Sequence, residues 1–145
     1  MKAISLWQPW ASLIIWGEKE YETRSWPAPR SLIGQDIVIH AAKRPIDMED
    51  WPDFRLFQGV LVDHGCWLNN RLPYGAVLGV AHVKGCWPVE QVRTQLSAKE
   101  LAFGNYSDGR FAWWLTDIRP FAQPILYRGA QGLFEYVPPE GVSNA

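Results

Sequence analysis

Residues 75–84 read Gly-Ala-Val-Leu-Gly-Val-Ala-His-Val-Lys, an almost unbroken apolar run. A strand with one wet face alternates polar and apolar residues, whereas a strand apolar throughout is covered on both faces. The run therefore predicts a central strand, with His82 inside it. Residues 35–42 give a second strong strand, Asp36-Ile37-Val38-Ile39-His40-Ala41, which Pro45 ends. Weaker strands are expected at 3–6, 19–26, 111–115, 125–127 and 132–136. Helices are expected at 8–16, 47–57 and 89–102. In the first, Pro9 suits the opening helical position, Gly17 the residue past the end, and Trp10, Leu13, Ile14 and Ile15 form a wide apolar face. Pro52 limits the second. Ser97 is a candidate cap inside the third, and Gly104 stops it. The alternation of elements predicts an α+β domain, a curved or closed sheet with helices packed on it.

The chain has 145 residues, 48% hydrophobic and 20% charged, which is one globular domain able to bury a core without disulfides or metal. There is no repeat and no linker. The domain is expected to span 1–137, with a flexible tail over 138–145 that begins Pro138-Pro139-Glu140-Gly141. The N-terminus lacks a signal-peptide pattern, and no stretch is apolar enough to cross a membrane. A cytoplasmic protein is expected, with Cys66 and Cys86 reduced.

A net charge of −1 argues against a general coat for long duplexes, since non-specific binding rests on Lys and Arg against phosphate. A nucleic-acid ligand would have to be short or single-stranded and be met by a local cluster. Nine tryptophans are many for this length; most should pack, and a few could stack on bases.

The densest polar group is Lys19, Glu22 and Arg24. On an extended segment Glu20, Glu22 and Arg24 share one face, and Tyr21, Thr23 and Ser25 the other. The group is either a solvated face with a surface ion pair, worth under about 1 kcal/mol, or one wall of a site. His40 and Lys43, at the end of the strongest strand, form a second candidate, set against an ordinary packed histidine. The pairs His64 with Cys66 and His82 with Cys86 have zinc-ligand chemistry but lack its tight cysteine spacing, so neither metal nor cofactor is expected. Gly129-Ala130-Gln131-Gly132 lacks the Lys-Ser/Thr ending of a phosphate loop and reads as a tight turn between strands.

Ser5-Leu6-Trp7-Gln8-Pro9-Trp10-Ala11-Ser12-Leu13, Gly17-Glu18-Lys19, Glu22-Thr23-Arg24-Ser25-Trp26 and Ile39-His40-Ala41-Ala42-Lys43 resemble the ASCH (activating signal cointegrator-1 homology) domain. Pro73-Tyr74-Gly75-Ala76-Val77-Leu78-Gly79-Val80 and Gly129-Ala130-Gln131-Gly132-Leu133-Phe134 match it too, so the resemblance spans nearly the whole chain. It implies a PUA-like β-barrel of about six strands flanked by helices, with a cleft beside the first helix, in a family assigned to RNA or DNA binding. One bacterial branch resembles an amidohydrolase of N4-acetylcytidine with a Gly-x-Lys-x-x-Thr stretch. Here Lys19 matches, but Glu22 occupies the threonine position, so that activity is not carried over.

The expected function is a nucleic-acid-binding module that holds single-stranded RNA or DNA, or a nucleotide, in that cleft. Lys19, Arg24 and Lys43 would hold phosphate or a base edge. Glu22 would accept from a base amine or orient Arg24, and Gln8 would read a base edge. Trp7 and Trp26 would stack, with Ser25 and His40 completing the site. The alternative is a metal-independent ribonuclease or nucleoside-modifying hydrolase in the same cleft, with Lys19, Glu22 and His40 catalytic. No membrane partner is expected.

Overall fold

The computed structural model describes residues 1–66 and 71–142. Six strands form one sheet: β1 (Lys2–Leu6), β2 (Tyr21–Arg24), β3 (Asp36–Ala41), β4 (Ala76–Pro88), β5 (Phe111–Leu126) and β6 (Leu133–Glu135). Their order is β2-β5-β4-β3-β1-β6. Only β1 and β3 run parallel, with Ser5 opposite His40. The other neighbours are antiparallel.

The apolar run is central, as expected, and β4 extends beyond it to Pro88. Both its faces are covered. Leu78, Ala81 and Val83 join Ile4, Ile37 and Ile39 on one side, and Val77 and Val80 join Ala3, Val38, Phe121 and Tyr136 on the other. The sheet curls strongly. Register shifts interrupt β4 against β5 at three places and β3 against β4 between Ile39 and His40, and each bulge bends and twists its strand. The result is an α+β half-barrel with flanking helices, a PUA-like architecture whose edges are β2 and β6.

Helix α1 (Trp10–Ile15) packs Ala11 and Ile14 onto the sheet. Its Leu13 faces a second layer made by Phe57, Val60 and Leu61 of α2 (Phe54–Asp63) and by Phe103. Pro9 precedes the helix rather than opening it, and its carbonyl accepts from Leu13 N at 2.9 Å. The expected helix over 47–57 is instead a short 3-10 turn at Met48–Asp50 followed by α2, which Asp53 caps through Leu56 N at 3.1 Å. Pro52 separates the two, because the residue before a proline is driven out of helical conformation.

The expected helix over 89–102 is likewise broken, into α3 (Val89–Val92), a 3-10 turn (Arg93–Gln95) and α4 (Ala98–Ala102). Ser97 is extended and caps Glu100 N at 3.1 Å, which starts a new helix rather than continuing an old one. The expected strands at 111–115 and 125–127 belong to one long β5. Asp117, Pro120 and Pro124 lie between the two expected strands, and a strand with bulges absorbs them, Asp117 at φ 50. At 138–142 a turn closes Val142 N onto Pro139 O at 3.0 Å, and 143–145 lie outside the described residues.

Gly79 sits where β4, β5 and α1 meet. A Cβ there would lie 2.6 Å from the Arg119 carbonyl oxygen and 3.0 Å from Ile15. Gly59, exposed on α2, has open space around it. Gly79→Ala is expected to destabilise by about 1–3 kcal/mol through overpacking, and Gly59→Ala to stabilise by about 0.5–1 kcal/mol through helix propensity. Urea midpoints of the two variants check both signs.

Candidate functional site

The curl brings the edge strand β2 round to β1, four strands away in the sheet order. No ladder joins them among the described residues. Instead Arg24, the last residue of β2, donates from Nη2 to the Ser5 carbonyl of β1 at 3.0 Å. A cavity opens on either side of this link, and Ser5, Trp7 and Arg24 line both.

The first cavity, about 740 Å³, lies beside α1. Its lining includes Trp10, Glu22, Thr23, Asp50, Trp51, Asn105 and Arg110. Glu22 Oε2 stands 4.0 Å from Arg24 Nε. Arg24 Nε itself is buried and has no hydrogen-bond partner among the described residues. Arg110 donates to the carbonyls of Asn105 at 3.1 Å and Thr23 at 3.0 Å. Thr23 lines this cavity together with Glu22 and Arg24, against the simple alternation expected of the segment. Both faces of β2 are covered, and Glu22 and Thr23 are both buried. Thr23 Oγ1 accepts from Asn105 N at 3.2 Å.

The second cavity, about 790 Å³, lies over the end of β3 and is roofed by residues 127–132. His40 lines it with Lys43 and Arg128. His40 Nε2 is 2.8 Å from the Tyr127 carbonyl, which can only accept, so Nε2 carries the proton. Nδ1 is then the acceptor for the Ser5 hydroxyl at 3.0 Å. Phe134 meets the ring edge-on, and a Cβ on Gly129 would collide with it. Burial pushes the His40 pKa below the usual histidine value, only partly offset by the Tyr127 hydrogen bond. His40 is therefore neutral and fixed, with both nitrogens engaged.

Two of the expected site residues, Gln8 and Lys19, are engaged within the chain itself. Gln8 Nε2 donates to Ser12 Oγ and Pro73 O, each at 2.8 Å, and its Oε1 accepts from Ser12 N at 3.0 Å. Pro9 offers no side-chain acceptor to the first turn of α1, so Gln8 supplies one from the residue before. Lys19, 1% exposed, lines neither cavity. Its Nζ donates to the Tyr21 carbonyl. Burial lowers its pKa, opposed by Glu22 and Glu100, and burial raises that of Glu100. Lys19 is packed behind β2 and bonded to its backbone.

The remaining candidates separate cleanly. Trp7, Glu22, Arg24, His40 and Lys43 line the double cleft. Arg44 stacks over Trp7 at 3.9 Å and pairs with Asp50 at 2.7 Å. Ser25 is exposed and Trp26 packs edge-on against Trp113, with the Arg24 guanidinium 5.6 Å from its ring centre; neither lines a cavity. His64 stacks on Trp16 and His82 pairs with Asp36, away from this seam. Arg110, Asn105, Trp51 and Arg128 were missed. Arg128 directly precedes the Gly129–Gly132 stretch, which could have signalled it; the others come from segments with no motif.

Three comparisons bear on this arrangement. The ASCH domain model matches residues 4–125. Activating signal cointegrator 1 from Homo sapiens and from Mus musculus are each 33% identical over 95 residues, 63% of this chain and 15% of theirs. The chain thus spans under a sixth of those relatives. A crystal structure of ASCH from Zymomonas mobilis superposes with a TM-score of 0.59 at 21% identity, covering 94% of this chain and 87% of that one. A tyrosine-to-phenylalanine mutant of that protein gives 0.55 at 20%, with 94% and 89% covered. These likenesses speak to the fold.

Because its folded pKa is lowered, His40 contributes stability that is present above the unfolded histidine value near 6.5 and is lost as pH falls through the folded value. Denaturant midpoints are expected to drop between pH 7.5 and pH 5, with a smaller drop in His40→Gln. An equal drop in both proteins would exclude His40 as a source.

Proposed function

The chain belongs to the ASCH domain family, and from that premise we propose that it is a nucleic-acid-binding module holding single-stranded RNA or DNA, or a nucleotide, in the double cleft at the sheet seam. The family is generally taken to bind RNA, which supports RNA as the first ligand to try. The observation that carries the reading is Arg24. It lines both cavities, its guanidinium is only partly exposed, and its Nε–H is buried with no hydrogen-bond partner among the described residues, the Glu22 carboxylate standing 4.0 Å away. Such a donor is costly to leave unmade, and a phosphate or base oxygen would satisfy it. Lys43 and Arg128 add charge on one side. Glu22 and Asn105 offer acceptors to base amines on the other, and Trp7 and Trp10 offer ring surface for stacking.

No helix among the described residues is long and apolar enough to cross a membrane. Cys66 and Cys86 are free, and we place the protein in the cytoplasm, where they stay so.

A second reading, hydrolysis in the same cleft, has one observation in its favour. The Ser5 hydroxyl hydrogen-bonds to a histidine whose other nitrogen is oriented by a carbonyl, the arrangement of an activated nucleophile. Lys19 is out of the cleft and has no part in it. Release of product from labelled RNA that disappears in Ser5→Ala would establish this reading. N4-acetylcytidine is expected to survive, since Thr23 and Lys19 do not pair: each is bonded elsewhere.

Arg24→Lys is expected to weaken binding of single-stranded oligonucleotides by about tenfold, because lysine keeps the charge but loses the planar fork. Arg55→Ala, on the exposed side of α2, should leave affinity unchanged. Affinity should also fall steeply between low and moderate salt. Titration by tryptophan fluorescence reads all three; equal affinities for the two variants would remove Arg24 from the site.

A further inference from the structure

Charge is divided unequally across the seam. The charged side chains lining the cavity over β3 are Arg24, Lys43 and Arg128, with no carboxylate among them. The cavity beside α1 sets Glu22, Glu49 and Asp50 against Arg24 and Arg110. The cations differ in commitment as well. Arg110 already serves two backbone carbonyls. Lys43 and Arg128 are exposed and take part in none of the ion pairs among the described residues. Lys43 lies along Gly75, where a Cβ would come within 2.9 Å of its stem, so part of its length is held in place. The roof over this cavity carries Gly129, whose missing side chain makes room for the His40 ring, and Gly132, which turns the chain at positive φ.

We propose that the cleft takes a nucleotide carrying a phosphate monoester, free or at the end of a strand, with the phosphate over β3 and the base beside α1, and that it does not take the interior of a strand. The proposal rests on the nucleotide-binding reading above and narrows it. A monoester carries nearly two negative charges at neutral pH and three acceptor oxygens. It suits a cavity lined by three cations better than a diester with a single charge. Arg24, common to both cavities, would face the phosphate and the nucleoside together. Beyond the base, the lining carries Glu49, with Asp50 already paired to Arg44. A strand running on through the first cavity would bring its next phosphate towards Glu49, and like charges brought together at an interface select against that ligand. The overall charge of −1 agrees, since it offers no track along which a longer backbone could lie.

The test is a titration panel at one fixed salt concentration: the four ribonucleosides, their 5′- and 3′-monophosphates, inorganic phosphate, and a ten-nucleotide RNA with and without a terminal phosphate. At least one nucleoside monophosphate is expected to bind about tenfold or more tightly than its nucleoside and than inorganic phosphate. The RNA should show the same preference for a terminal phosphate if strand ends are the source, and bind weakly in both forms if free nucleotides are. In Lys43→Ala/Arg128→Ala the ratio of monophosphate to nucleoside affinity should fall below about threefold. Both residues are exposed, and circular dichroism confirms that the variant folds. An unphosphorylated RNA that binds as tightly as the phosphorylated strand and the best monophosphate would overturn this inference while sparing the nucleic-acid reading. Absence of binding across the whole panel would overturn this inference, and a ten-nucleotide DNA that also fails to bind would overturn the nucleic-acid reading with it.

Discussion

The hydrogen bond from Arg24 to the Ser5 carbonyl does what no backbone ladder does here: it ties one edge of the curled sheet to a strand near the other. A six-stranded sheet that curls without closing leaves a seam, and a seam exposes unpaired peptide groups. Closing it with a side chain rather than a strand keeps the two strands apart and leaves a cavity on each side of the link. The same guanidinium is thus a structural tie and the centre of the cleft. Its Nη2 is spent on the fold, while its Nε has no hydrogen-bond partner among the described residues. The two roles compete for one group, so substitutions at Arg24 have to be read against stability as well as binding.

Around this tie the polar residues divide by what the fold already asks of them. Gln8 and Lys19 are fully engaged by the chain itself, one capping α1 and the other bonded to the Tyr21 carbonyl behind β2. His40 is held on every side and acts on the cleft only through the Ser5 hydroxyl. Groups left with capacity to spare lie on the rims. Prior hydrogen bonding therefore separates residues that build the site from residues able to meet a ligand, and both kinds sit in the same sequence motifs.

The strands were legible because their signal is local. An almost unbroken apolar run such as 75–84 points to a strand covered on both faces. The breaks inside the helical segments were less legible. Pro52 and Ser97 were seen, but whether a proline limits a helix or divides it depends on what packs beyond it. The long β5 was hidden because bulges excuse its prolines, and bulges are set by the partner strand. In the cleft, Glu22, Arg24, His40 and Lys43 were found by type and position. Residue type does not reveal commitment, however, so Gln8 and Lys19 looked as available as Arg24. Asn105 and Arg110 reach the cavity from 82 and 87 residues beyond Thr23, a proximity created only by the fold.

The sheet order also fixes a sequence of events in synthesis. Strand β1 is made first, yet its neighbours are β3 on one side and β6, at residues 133–135, on the other. Until those last residues have left the ribosome, β1 has a single partner, and the 127–132 segment that covers His40 has no strand to lead into. The β4–β5 pair has both members by residue 126 and can assemble earlier. The cavity over β3 is accordingly completed only once residues 127–132 and β6 have been made, whereas the cavity beside α1 draws on no residue after Arg110.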